Sequence, residues 1–118
     1  MITPIVLVEN QQLTGSAANY YTVPNVKNAF VRIDKATFTN HHTAAISIDA
    51  HVIITGEAAA ADEDDANKII DGKSIAPGET YSAHKELVGR ILTQDQELSM
   101  LASTTAQVTV RIEGVLIT

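Results

Sequence analysis

Four histidines, fourteen acidic side chains and a scatter of serine and threonine hydroxyls are the groups in this 118-residue chain whose types could do chemistry. Nucleophilic catalysis needs a hydroxyl or thiol activated by a neighbouring base, and such sites leave recognisable spacing. The chain holds no Gly-x-Ser-x-Gly elbow, no phosphate-cradling Walker loop and no Gly-x-Gly-x-x-Gly fingerprint. It has no cysteine, which removes disulfides, thiolate zinc sites and a cysteine nucleophile together. Its hydroxyls sit in segments that read as strands and turns, where they suit pleated surfaces and local backbone bonding.

The histidines could bind a metal only if the fold gathered two or three of them with a carboxylate. His41 and His42 are adjacent, so in extended backbone their side chains diverge. His51 falls on the polar parity of its segment and His84 follows Tyr81-Ser82. All four read as surface or turn histidines. The acids concentrate in Glu57, Asp62, Glu63, Asp64 and Asp65, a run that reads as a solvated loop. Asp62 and Asp64 have the opening spacing of an EF-hand loop. The sixth position would then be Asn67 instead of glycine and the twelfth Lys73 instead of glutamate, so the bidentate ligand is missing. A looser cation site on Asp62, Asp64 and Asp65 stays open. The sequence therefore assigns no catalytic, cofactor-binding or metal-binding residue and implies no cofactor.

Charge and ring content narrow the partners. Net charge is −6, and eight Lys and Arg residues spread along the chain do not make the dense positive footprint of a nucleic-acid binder. Aromatic residues are few: Tyr20, Tyr21, Phe30, Phe38 and Tyr81, with no tryptophan. That poverty weighs against a sugar-stacking cleft. Tyr20-Tyr21 reads as one ring in the core and one at its rim, with a contact patch as the alternative.

The elements that must position these groups are strands. Ala44, Ile46, Ile48, Ala50, Val52 and Ile54 alternate with Ala45, Ser47, Asp49, His51 and Ile53, a period of two that puts the sets on opposite faces. Val108, Val110, Ile112, Gly114 and Leu116 repeat the pattern. Around them Val115 and Ile117 make the end of that segment apolar on both sides, as if covered by a neighbouring element or subunit. Between Ala29 and Asn40 the apolar parity switches near Asp34-Lys35, which predicts one long strand carrying a β-bulge there. Shorter strands are expected over Ile5 to Val8, Tyr20 to Val23, Glu79 to Ser82 and Glu97 to Ala102.

Turn residues separate these runs at Thr14-Gly15-Ser16, Val23-Pro24-Asn25, Asn40-His41-His42, Asp71-Gly72-Lys73 and Ala76-Pro77-Gly78-Glu79. Helix is confined to turns within Ala58 to Asp65 and Ser82 to Leu87. Short strands at this spacing imply an all-β chain, an antiparallel β-sandwich or jelly roll, with residues 1–118 as a single domain. Residues 57–66 are its acidic inserted loop. No run approaches the roughly 18 apolar residues of a membrane-spanning helix. Met1-Ile2-Thr3-Pro4-Ile5 lacks a basic-then-apolar secretion signal, so synthesis in the cytosol is expected.

Several of these runs, taken together, resemble one family. They are Tyr21-Thr22-Val23-Pro24, the bulged strand ending Thr37-Phe38-Thr39-Asn40, Ile75-Ala76-Pro77-Gly78-Glu79-Thr80 and Leu87-Val88-Gly89-Arg90-Ile91-Leu92. Gln96-Glu97-Leu98-Ser99, Ala102-Ser103 and the closing Val108 to Ile112 with Gly114 complete the pattern. Over residues 20 to 118 the chain resembles small tailed-bacteriophage virion structural proteins, the β-sandwich decoration or cement, neck-collar and tail accessory subunits. It departs from them at Asn25-Val26-Lys27, where a Gly-Lys turn is usual, and at Gln96.

The resemblance implies a non-enzymatic structural subunit of a phage particle, at the head or at the neck, acting through symmetric contacts. Its expected partners are other virion proteins (major capsid, neck or tail subunits) and copies of itself, with no nucleic acid and no membrane, and its expected place is the virion. Ile5 to Val8 and Val115 to Ile117 are candidate contacts, unless intramolecular pairing buries them. The alternative is a tail-tip receptor- or carbohydrate-binding module.

Overall fold

A computed structural model describes residues 1–54 and 66–118 of the chain. The alternating runs become strands β1 (Ile2–Gln12), β2 (Ala18–Thr22), β3 (Phe30–Asn40), β4 (Ile46–Ile53), β5 (Lys68–Ile75), β6 (Thr80–Ser82), β7 (Ile91–Thr93), β8 (Glu97–Ala102) and β9 (Val108–Ile117). They form two antiparallel sheets packed as a sandwich. The front sheet runs β1-β9-β3-β6, with β7 also on β3; the back sheet runs β2-β8-β4-β5.

This order has a simple origin. β1 pairs with β9, β2 with β8, β3 with β6 and β7, and β4 with β5, each antiparallel, as in one long folded ribbon. Rolling that ribbon on itself adds the pairs β3–β9 and β4–β8 and places successive parts of the ribbon in opposite sheets. The result is a jelly roll, one of the ways antiparallel chains limit exposed sheet edges. One strand position of the ribbon is shared by the two short strands β6 and β7.

The inner faces interlock through alternate residues. Val31, Ile33, Ala36 and Phe38 of β3 and Val108, Val110 and Ile112 of β9 meet Ile46, Ile48 and Ala50 of β4 and Leu98, Met100 and Ala102 of β8 in one buried cluster. Phe38 is its largest member and is fully buried; truncating such a ring to alanine removes about 3–5 kcal/mol.

The bulge expected in β3 is present. Ile33 pairs with Gly114 and Lys35 with Glu113, leaving Asp34 as the extra residue. The strands approach so closely here that a Cβ on Gly114 would overlap the carbonyl oxygen of Arg32. β8 spans Glu97–Ala102 as expected.

Asn40 ties the end of β3 to the second sheet. Its Nδ2 donates to the carbonyls of Ala44 (3.0 Å) and Ile75 (2.9 Å), and its Oδ1 accepts from the His42 N–H (2.8 Å). Its backbone binds the Ala76-Pro77-Gly78-Glu79 turn through Gly78 and Glu79. Pro77 in second position and Gly78 at φ 74° in third make this a type II turn, closed by Glu79 N–H to Ala76 O at 3.0 Å.

Several expectations need correcting. Asp71-Gly72-Lys73 is not a turn between strands: it lies inside β5, a strand the sequence did not reveal. Asp71 and Gly72 bulge opposite Asp49, whose carboxylate accepts the Gly72 N–H at 2.6 Å. Glycine at φ 61° serves a bulge there as readily as a turn. Strand β7 was also missed, being three residues long. In the expected turn Ser82 to Leu87, Ser82 ends β6 and the residues after it form hydrogen-bonded turns; no helix occurs among the described residues. The Ala58 to Asp65 turn, and the acidic run Glu57, Asp62, Glu63, Asp64 and Asp65, lie outside the described residues.

Candidate functional site

The outer face of the front sheet is built by register. Ile2, Ile117, Phe30 and Thr93 stand in one cross-strand row; Pro4, Val115, Arg32 and Ile91 stand in the next. Val6, Glu113 and Lys35 follow. One end of this face is therefore largely apolar, interrupted by Arg32 and Thr93, with Ile2 68 %, Val6 43 % and Ile91 47 % exposed and Phe30, Val115 and Ile117 half-buried. Two shallow grooves cut into it. One, of about 460 Å³, lies between Pro4, Val6, Asp34, Lys35, Glu113 and Val115; the other, of about 530 Å³, lies among Ala29, Phe30, Ile91 and Thr93.

The middle of the face is charged and paired. Arg32 Nε meets Asp34 at 2.8 Å and Arg111 Nε meets Glu113 at 2.7 Å. The hydrogen bond from Arg111, helped by its charge and that of Lys35, holds the Glu113 carboxyl below its ordinary value. Both pairs are solvent-screened and contribute little to stability. The far end is polar: Thr39 and Thr80 share a hydroxyl hydrogen bond at 2.9 Å, and His41 Nε2 meets the Thr109 hydroxyl at 2.8 Å.

The edges offer less to a partner than this face does. β1 is broken by two register shifts and carries Asn10 at φ 47°. β2 is short and shifted, β5 is bulged, and β6 and β7 span three residues each. Short and bulged edges block strand-to-strand addition.

The outer face of the back sheet differs. His51 pairs with Ser99 and Ile53 with Glu97 on that face. Ser99 and Ile53 are fully buried and His51 is 3 % exposed. His51 thus has the expected parity and is nonetheless not a surface histidine. His41 and His84 are exposed and His42 half-buried, and no cluster of three His, Asp or Glu that could hold a metal occurs among the described residues.

Tyr20 and Tyr21 both pack against the core, so the reading of one core ring and one rim ring is replaced by two half-buried rings. A register shift between Asn19 and Tyr21 accompanies this, and the Tyr20 hydroxyl accepts the Thr14 N–H at 3.0 Å. The candidate contact segments divide by parity. Leu7 and Val8 are buried within the chain, and Ile5 and Leu116 pack against its core. Val6, Val115 and Ile117 remain on the outer face. Phe30 of β3 and Ile91 of β7 complete that face; Ile91 was not singled out by the sequence, because β7 is too short to show alternation.

No protein-family model matches the chain, and no curated protein is similar to it in sequence. Its fold is similar to that of chains from infectious bursal disease virus particles. A chain of the T13 viral particle superposes with a TM-score of 0.57 at 6 % identity, covering 98 % of this chain and 30 % of that one. A chain of the Gx strain gives 0.55 at 10 % identity, with 98 % and 31 % covered. A chain of the virus-derived T=1 particles gives 0.55 at 7 % identity, with 98 % and 30 % covered. The protein thus spans less than a third of the length of these particle chains, and at such identities the likeness is one of fold.

Proposed function

We propose that this chain is a non-enzymatic structural subunit of a virus particle, with residues 1–118 forming one domain that docks by the apolar end of its front sheet. The observation that carries this is the exposure of Ile2, Val6 and Ile91 on the same outer face of the front sheet. Apolar patches of this kind mark contact sites. The jelly-roll likeness to virus-particle chains supports the particle role, and the guarded edges favour face-to-face contact over strand addition. Within that role, the resemblance carried by Tyr21 to Pro24, Thr37 to Asn40 and Ile75 to Thr80 favours a tailed-phage particle, at the head as decoration or cement or at the neck. Its partners are then other virion subunits and copies of itself.

Quantitative mass spectrometry of purified particles tests the reading. A copy number close to that of the main shell protein is the result expected of a decoration subunit, and a small ring-like number that of a neck subunit. Absence from the particles overturns the structural role.

A further inference from the structure

One dipeptide of this chain carries a chemistry of its own. Asp71-Gly72 is its single Asp-Gly step, and it has no Asn-Gly step. In such a step the glycine nitrogen can attack the side-chain carboxyl carbon of the aspartate, since no glycine side chain crowds the approach. A C–N bond forms, the C–O bond to the protonated carboxyl oxygen breaks, and that oxygen leaves as water. The product is a five-membered cyclic imide. Water then opens the ring at either carbonyl, restoring aspartate or leaving isoaspartate, whose backbone runs through the side-chain carbon. One water leaves and one enters, so the mass of the chain is unchanged.

The β5 bulge supplies most of what this attack needs. The Asp71 side chain is 82 % exposed, so water reaches it freely. Nothing stands within 4 Å of the place a Gly72 Cβ would occupy, which leaves space for the ring. Ile48 pairs with Lys73 and Ala50 with Ile70, so neither Asp71 nor Gly72 has a register partner on β4. β5 is also an edge strand of the back sheet. Lys68 Nζ meets Asp71 Oδ1 at 3.3 Å, an exposed pair that holds the side chain only weakly.

One contact opposes the reaction. The Gly72 N–H donates to Asp49 Oδ1 at 2.6 Å, and Asp49 is half-buried on β4, inside the sheet. Attack requires the glycine nitrogen to lose its proton and its peptide plane to turn toward Asp71. A carboxylate is far too weak a base to take an amide proton. Its charge instead disfavours a second negative charge on that nitrogen, and the charge-assisted hydrogen bond holds the peptide plane in place.

We propose that Asp71-Gly72 is a modification site, a latent isoaspartate position, which Asp49 keeps silent in the folded chain. Isomerisation then proceeds from the fraction of molecules in which the β4–β5 bulge has opened. Isoaspartate adds one methylene to the backbone of β5, so a modified strand cannot regain the register of Lys73 with Ile48 and Ile70 with Ala50. This stands apart from the assembly role, since β5 belongs to the back sheet and the proposed docking face to the front.

The test incubates the full chain at neutral pH and physiological temperature, in buffer and in urea. Residue 71 is then read by fragmentation mass spectrometry that separates isoaspartate from aspartate. The native chain should form isoaspartate about tenfold or more slowly than the chain in urea. Asp49→Ala should speed the reaction in buffer about tenfold or more, the loss of one hydrogen bond to a charged group. Asp49→Asn, which keeps an acceptor oxygen without the charge, should fall between. Amide exchange at Gly72 should rise in the same order, with circular dichroism showing each variant folded. Equal rates in buffer and urea would overturn the proposal, as would an Asp49→Ala rate equal to or below that of the parent. If Asp49→Ala does not fold, Asp49→Asn decides, and a rate no higher than the parent's overturns it.

Discussion

The two sheets of this jelly roll use the same alternation of side chains but leave one end of each outer face in opposite states. On the back sheet, Ile53 and Ser99 are fully buried and His51 nearly so. On the front sheet, Ile91 is 47 % and Ile2 68 % exposed. Burying an isoleucine is worth about 1.5–3 kcal/mol. Ile53 has that stabilisation within the chain, whereas Ile91 and Ile2 have only part of it. A period of two tells which residues share a face; whether that face meets water depends on what else lies against it. The exposed face is accordingly the one with free energy still to gain from a partner.

The comparison breaks or sharpens under substitution. The largest effect is expected from Val6→Glu combined with Ile91→Glu, which places two charges in the apolar end of the front sheet. Incorporation into particles, followed by co-sedimentation, should fall about tenfold or more, while circular dichroism shows a folded chain. Undiminished incorporation would remove this face from the assembly contact. Next, Ile53→Ala should lower unfolding free energy by about 3 kcal/mol in denaturant titration, whereas Ile91→Ala should stay within about 0.5 kcal/mol. Equal losses would mean that the two faces do not differ in the way described.

Gly114→Ala bears on the front sheet's shape. The added methyl overlaps the Arg32 carbonyl oxygen opposite the bulge, so the strands that present Val115 and Arg32 must part. A loss of about 2–3 kcal/mol is expected, and a melting temperature equal to that of the parent chain would show that the close approach is not needed. The smallest effect concerns Glu113. Its carboxyl is held below the ordinary 4.5, chiefly by the Arg111 hydrogen bond. The stabilisation is present above the unfolded-state value and is lost as pH falls through the depressed folded-state value. Melting temperatures of the parent and Glu113→Gln should therefore differ slightly at neutral pH and converge in acid; a constant gap would mean that Glu113 contributes by something other than its charge.

Much of the fold was legible because its signals are local. The parity switch near Asp34-Lys35 marked the bulge, since one extra residue is the only way to keep Ala36 and Phe38 facing inward with Val31 and Ile33. Asp71-Gly72 misled for the same reason: a glycine with positive φ is a local requirement that a turn and a bulge share. The candidate assembly face was half legible. Val115 and Ile117 stood out because they break alternation, but Phe30 and Ile91 join them only through pairing across strands. His51 shows the other limit, for its polar parity was read correctly and its burial was not.

By itself, then, the amino-acid sequence determined that the chain is all-β, where β3 bends and where β8 begins and ends, because side-chain period and turn chemistry act between near neighbours. The tertiary structure alone decided the jelly-roll order, which outer face stays open, and the meeting of Gly72 with Asp49. Those depend on pairings between distant residues, such as Ala18 with Met100 and Val31 with Leu116, and the pattern within any one strand carries no record of its partner.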